Sequence, residues 1–203
     1  MKSWLWARRR RIIYTIVALA LLRLTEIPPP LSSVRQEEAE GRVLAKSLLQ
    51  LGPESMALIA KEHVIANELK VTLEESAGLD KDTFIGRFKQ YVDRLVEIRD
   101  KRQAVFVAVA DRQWNNALNM NVQRLVFNQL KAQIARTQQW IEYTENIRLR
   151  AELGRKDDFP ELPKLKKGLE GYLSLPAETP LYDQVKILTE EYHFTEAELY
   201  TEK

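Results

Sequence analysis

The chain contains no cysteine, which excludes a disulfide framework, a thiolate nucleophile and any cysteine-ligated metal centre. Histidine occurs only at His63 and His193. His193 follows Glu190 at the Glu-x-x-His spacing of helical di-iron sites, but such a site needs two of these motifs and two further glutamates. Ala60 stands three residues before His63, so the second motif is missing and no metal or cofactor is expected. With seven glycines there is no Gly-rich phosphate loop, and no serine sits in a Gly-x-Ser-x-Gly turn. Carboxylates are numerous but alternate with bases, as in Glu97-Ile98-Arg99-Asp100-Lys101-Arg102, which reads as a solvated, self-paired face. These absences point away from an enzyme.

The most informative segment is the N-terminal one. Trp4 and Trp6 precede four consecutive arginines, Arg8, Arg9, Arg10 and Arg11. An uncharged run of 11 residues comes next, with Ile12, Ile13, Ile16, Val17, Leu19, Leu21 and Leu22 as its apolar anchors. A basic flank, an apolar stretch and interfacial tryptophans form a membrane address. As a helix the run spans about 16 Å, and about 24 Å if Arg23 snorkels and it extends to Ile27. That suits a thin or locally thinned bilayer, and it also resembles the apolar core of a signal peptide. Ala18-Leu19-Ala20 has cleavage-site spacing but lies inside the apolar run, so we favour an uncleaved signal anchor. A cleaved signal, a mitochondrial presequence and a helix lying in the interface are the alternatives.

Charge divides at the same place. Residues 1–27 carry six basic groups and one acidic group, net +5; the remainder carries 25 and 28, net −3. The arginines belong on the cytoplasmic side, facing anionic lipid headgroups, and the body then lies outside the cytoplasm. A mildly acidic body argues against nucleic acid as a partner. A cysteine-free exported domain suits the bacterial inner membrane and periplasm, the mitochondrial inner membrane being the second choice.

The body reads as all-α: a single transmembrane helix, then a helical bundle or long helical hairpin, then a tail of short helices. The expected divisions are a basic tip (1–11), the anchor (12–27), a spacer containing Pro28-Pro29-Pro30 (28–33), a long-helix domain (34–153) and a proline-punctuated tail (154–203). From Arg87 to Leu153 there is neither glycine nor proline. Within the long-helix domain the sequence predicts one helix from Val34 to Leu51, stopped by Gly52-Pro53, and a second from Pro53 to Ser76. A third starts after Asp80 or Asp82, with Phe84, Phe88, Tyr91, Leu95 and Ile98 at helical spacing. The run Val105 to Val109 is read as a buried helical turn. A break is expected near Asn115-Asn116, and a fourth helix runs to Leu153. Met120, Phe127, Ile134 and Ile141 recur every seven residues, with Leu130, Thr137 and Thr144 as a second row, a weak coiled-coil seam. In the tail, Thr179-Pro180 starts a helix ending near Tyr192, and Thr195 with Glu198 forms a capping box.

Trp114 and Trp140 sit in polar surroundings and are candidate partner contacts, as are the tail residues Tyr172, Tyr182, Tyr192 and Tyr200; the competing reading places them in the core. The expected function is a non-catalytic accessory or scaffolding subunit of a membrane complex, whose partners are other subunits or a second copy. A ligand-binding bundle that signals through a partner, and a self-assembling envelope spacer, are the alternatives.

Overall fold

A computed structural model describes residues 31–111, 113–114, 116–154, 159–174 and 180–195. The anchor residues Trp4 to Leu22, the Pro28–Pro30 spacer, Tyr200 and the expected Thr195–Glu198 capping box, which depends on Glu198, lie outside them. The chain divides into two compact units, Met1–Glu38 and Ala39–Lys203. Within the first, the described residues are helical from Leu31. The second holds the helical bundle.

The described residues are all-α. They form five helices, α1 (Leu31–Glu74), α2 (Lys81–Ala110), α3 (Ala117–Glu152), α4 (Leu162–Ser174) and α5 (Pro180–Tyr192), with a 3-10 turn at Ser76–Gly78 between α1 and α2. Among the described residues no helix is long and apolar enough to cross a membrane.

Each long helix buries a strip with a seven-residue repeat, the period that keeps one face turned to its neighbours. In α2 the strip is Phe88, Tyr91, Leu95, Ile98, Arg102, Val105 and Val109. In α3 the buried rows are Asn119, Val126, Gln133, Trp140, Ile147 and, beside them, Gln123, Leu130, Thr137, Thr144, Ala151. Leu130, Thr137 and Thr144 therefore lie in the seam as the spacing predicts. Of the row expected to accompany them Ile141 is buried, but Met120 is exposed and Phe127 and Ile134 are half-buried, while their neighbours Asn119, Val126 and Gln133 face inward. Polar Asn119 and Gln133 conceal the true row from a hydrophobicity reading.

Helix ends obey local chemistry. The Asp80 carboxylate accepts from the Thr83 N–H at 2.9 Å and starts α2. Asn116 caps α3, its Oδ1 accepting from the N–H groups of Leu118 and Asn119 at 2.6 and 3.2 Å. The Gln123 amide donates to the Val109 carbonyl at 2.8 Å, and Lys81 donates to the Glu152 carbonyl at 2.8 Å, so the ends of α2 and α3 are tied in antiparallel register. Gly154, at φ +74°, closes α3 in the left-handed conformation.

The Gly52-Pro53 stop does not materialise: α1 continues through it to Glu74. An interior proline costs about 3 kcal/mol and a glycine about 1 kcal/mol. Leu44, Leu48 and Leu49 before the pair and Leu58, Ile65 and Leu69 after it are all buried, at about 1.5–3 kcal/mol each, and tertiary packing overrides the local signal. Pro53 itself is exposed.

Two apolar cores fill the bundle. The first joins Leu44, Leu48, Val105, Val109, Val126 and Leu130, and is covered by Leu181, Val185 and Leu188 of α5. The second joins Leu58, Leu69, Phe88, Leu95, Trp140 and Ile147, and is covered by Leu165, Leu169 and Tyr172 of α4. Low numbers of α1 thus pair with high numbers of α2 and low numbers of α3. The helices run up, down and up, and α4 and α5 share the fourth position. Ions on the α1–α2 flank repeat the register. Glu75 pairs with Arg87 at 3.4 Å, Glu68 with Arg94, and Glu97 takes both Lys101 (2.7 Å) and Lys61 (3.9 Å). Residues 61, 68 and 75 step by seven, as do 87, 94 and 101. Exposed pairs of this kind add at most about 1 kcal/mol each, so they select alignment more than they stabilise it.

Glycines in α1 admit the tyrosines of α5. A Cβ on Gly41 would stand 2.3 Å from the Tyr192 ring, and one on Gly52 would stand 2.6 Å from that of Tyr182. A Cβ on Gly86 of α2 would meet nothing within 4 Å. Gly86→Ala should therefore raise stability by about 0.5–1 kcal/mol, the ordinary helical gain. Gly52→Ala should give no such gain, and should recover it when made in a Tyr182→Ala background. Urea unfolding of the four variants tests this, and an equal gain at both glycines in the native background would show that Tyr182 does not occupy the notch.

Candidate functional site

Between the two cores lies a layer of buried polar groups. On α1 the seven-step row Leu48, Ser55, Glu62, Leu69 brings a carboxylate to the interior. On α2 the row Leu95, Arg102, Val109 brings a guanidinium to the same level, and on α3 the row Leu130, Thr137, Thr144 brings a hydroxyl. Glu62 is 0% and Arg102 is 2% exposed.

Glu62 is saturated. Its Oε1 accepts from Arg102 Nη1 at 2.6 Å and from Thr137 Oγ1 at 2.7 Å. Its Oε2 accepts from Arg102 Nη2 at 2.8 Å, Arg136 Nη2 at 3.2 Å and Tyr172 Oη at 2.9 Å. The Arg102 fork is thus bidentate, the arrangement that best offsets desolvation of the two charges. Thr137 Oγ1 accepts from Arg102 at 2.6 Å and lies 2.9 Å from the Gln133 carbonyl, so its single proton is shared between that carbonyl and Glu62. One carboxylate connects four helices.

Tyr172 links this layer to the aromatic core. Its ring stands 4.5 Å from that of His63 and 5.0 Å, edge-on, from Trp140. The Arg136 guanidinium covers it at 4.4 Å, a cation–π contact. Gly168 of α4 leaves room for the Trp140 indole, whose Nε1 lies 3.4 Å from where a Cβ would be.

Electrostatics explain what the cluster does. Burial pushes the Glu62 carboxyl up, but the hydrogen bonds and charge of Arg102, with Arg136 and Thr137, more than offset it and hold the group below the usual carboxylate range. Burial pushes the Tyr172 hydroxyl up, and the Glu62 charge and hydrogen bond add to that. Glu62 stays ionised and Tyr172 stays protonated as its donor. A carboxylate whose two oxygens already take five donors has no free lone pair for a substrate proton, so the arrangement clamps helices together and offers no general base.

The sequence-predicted contact residues separate into two groups. Trp114, Trp140 and Tyr172 are buried, at 8, 2 and 9% exposure, and pack in the two cores. Their polar sequence neighbours lie on other faces of the helix or in the α2–α3 connection, so the surroundings along the chain misrepresent those in space. Tyr192 is half-buried and donates to Asn119 Oδ1 at 3.1 Å. Tyr182 is 38% exposed with its ring tip over Gly52, which makes it, among the described residues of this set, the candidate contact that faces solvent. The run Glu97–Arg102, expected to be wholly solvated, is so only in part: Arg102 turns inward while Lys101 pairs outside with Glu97. His193 takes φ 53° at the end of α5. Among the described residues no group of three or more potential metal ligands comes together. A shallow pocket of about 80 Å³ between Lys70, Leu73, Glu74, Lys166, Leu169 and Glu170 is well below the roughly 300–1,000 Å³ of small-molecule sites.

Glu62→Gln should destabilise the protein by about 3–5 kcal/mol, because Arg102 is left buried without its counter-ion. Replacing the buried group as a set, Glu62→Leu with Arg102→Met, Thr137→Val and Tyr172→Phe, should be neutral or stabilising by about 1–4 kcal/mol. Because the folded Glu62 titrates below its ordinary value of 4.5, its contribution is complete above that pH and is lost as pH falls through the folded value. Denaturant titrations at pH 7 and at stepwise lower pH check both points. A Glu62→Gln loss under 1 kcal/mol would show that this carboxylate does not clamp the bundle.

No protein-family model, no curated protein and no solved structure matches this chain.

Proposed function

We propose that the protein is a non-catalytic accessory or scaffolding subunit of a membrane complex, tethered to the bilayer by its N-terminal segment and acting through the outer faces of its helices. The observation that carries this reading is that the buried charges of Glu62 and Arg102 are committed to each other. Chemistry directed at a substrate would need groups held back from such pairing. The tether rests on the sequence, on Arg8 to Arg11 beside the apolar run Ile12–Leu22 with Trp4 and Trp6. Contact with anionic headgroups is a consequence of the same charge. The bulk of the chain then lies on the extracytoplasmic side of a bacterial inner membrane. Among the described residues of the sequence-predicted contact set, the exposure of Tyr182, with its ring against Gly52 of α1, supports a part for it in such contacts.

Lysine cross-linking in native membranes, then mild-detergent purification and mass spectrometry, is the decisive experiment. Reproducible, stoichiometric membrane proteins should accompany the chain, with cross-links from outward lysines such as Lys89, Lys166 and Lys186. Recovery of the chain in the soluble fraction, or with no heterologous partner, would overturn the accessory-subunit reading.

A further inference from the structure

The outward face of α3 is nearly free of charge, as is the exposed seven-step row Val43, Gln50, Ala57, Val64, Val71 of α1. Opposite its buried rows, α3 carries two further seven-step rows, one from Asn121 to Leu149 and one from Leu125 to Asn146, all exposed. Within these rows Glu142 is the one charged residue, in a chain that is 30% charged. The contrast with the α1–α2 flank is direct, where Lys61, Glu68, Arg87, Arg94 and Glu97 form an ion ladder. Depletion of charge from a patch, more than its greasiness, marks the centre of a protein interface. Two of the largest apolar side chains on this face, Leu125 at 45% and Leu149 at 42% exposure, stand near its ends.

The face is complementary to itself in one orientation. Let a second α3 lie antiparallel, with Ala135 of one copy opposite Gln139 of the other. Leu125 precedes Ala135 by ten residues and Leu149 comes ten after Gln139, so the two leucines meet. Asn128 and Asn146, seven residues out on either side, meet as amides. Ala132 falls opposite Glu142, which brings the neighbouring Lys131 beside that carboxylate. Two-fold symmetry makes every such contact twice. Lys131 is exposed, with its Nζ 5.8 Å from the Phe106 ring, and Glu142 is exposed. A parallel pairing would instead set Glu142 against Glu142 and Leu125 against Leu125, with repulsion in place of the ion pairs.

We propose that the protein forms a two-fold homodimer through antiparallel pairing of the outward face of α3, with Leu125–Leu149 contacts at the ends and Lys131–Glu142 ion pairs between them. This goes beyond the accessory-subunit reading and does not depend on it: the dimer can form whether or not a heterologous partner binds.

The native chain has no cysteine, so engineered thiols report without background. The full chain, kept in mild detergent, is made as Leu125→Cys and as Leu149→Cys. Mixed and oxidised, the two variants should cross-link to each other. Each alone should give no disulfide dimer, because like positions then lie about 36 Å apart along the helix. Ala135→Glu, at an exposed site and with a good helix former, should convert dimer to monomer in sedimentation velocity, with helical content unchanged and with melting equal to that of the native chain diluted to monomer. Lys131→Glu should weaken the dimer about tenfold, and adding Glu142→Lys should restore it. A monomer at all concentrations would overturn the proposal. So would a dimer that survives Ala135→Glu, or Leu125→Cys chains that cross-link to one another. Capture of other membrane proteins, or its failure, bears only on the accessory-subunit reading.

Discussion

The structure depends on one carboxylate. Three long helices with seven-residue repeats could slide past one another by a heptad and still bury leucine against leucine. Glu62 removes that freedom. Moved seven residues along α2, it would face Leu95 or Val109, and Arg102 would face Ser55 or Leu69. Each slip would leave two bare charges in an apolar interior, at several kcal/mol apiece. The observed register is the one in which the α1 carboxylate and the α2 guanidinium coincide, and Thr137 of α3 and Tyr172 of α4 are aligned to the same point. The pair's own contribution to stability need not be large for this to hold, because the alternatives are so much worse.

The polar layer also organises what lies on either side of it. The second core, with Trp140, Phe88 and Leu95, is sealed by α4, whose Tyr172 reaches Glu62 itself. The first core is sealed by α5, which is held by shape: Tyr182 and Tyr192 enter the spaces that Gly52 and Gly41 leave open. Two short helices of 13 residues each would be marginal alone. Both bury an apolar strip; α4 adds a hydrogen bond into the buried charge cluster, and α5 adds close approach to a glycine-bearing backbone and the Tyr192–Asn119 hydrogen bond. The same fourth position in the bundle is therefore completed by two different physical means.

Much of this fold is legible in the sequence, and the exceptions share a cause. Phe88, Tyr91, Leu95 and Ile98 announce the inner face of α2, Asp80 and Asn116 announce its start and the start of α3, and Gly154 announces the end of α3. Seven more steps from Leu95 land on Arg102, and seven from Ser55 land on Glu62, but a charged residue at such a position is discounted when charge is equated with solvent. The α3 row is obscured in the same way. Asn119 and Gln133 belong to the seam, and the apolar Met120 and Ile134 beside them draw the assignment one residue off. Gly52-Pro53 reads locally as a stop, and only the burial of both flanking segments shows why the helix persists. For the discounted charges Glu62 and Arg102 and the displaced α3 row, the correcting signal is periodicity counted without regard to polarity.

The same reasoning bears on function. Glu62, Arg102 and Thr137 on the inside of this bundle serve its architecture, and the near absence of charge from the outward face of α3 calls for a physical reason. A solvated helix face carries no penalty for charge and gains solubility from it, as the ion-rich flank of α1 and α2 illustrates. Eighteen residues of α3, from Asn121 to Gln138, contain three bases and no acid, and those bases avoid the centre of the outward face: Arg136 turns in to Glu62, Lys131 lies toward Phe106 and Arg124 flanks the outward rows. Holding the two outward rows to a single charge, Glu142, while the margins retain Arg124 and Lys131 is the pattern of a surface that is itself to be covered.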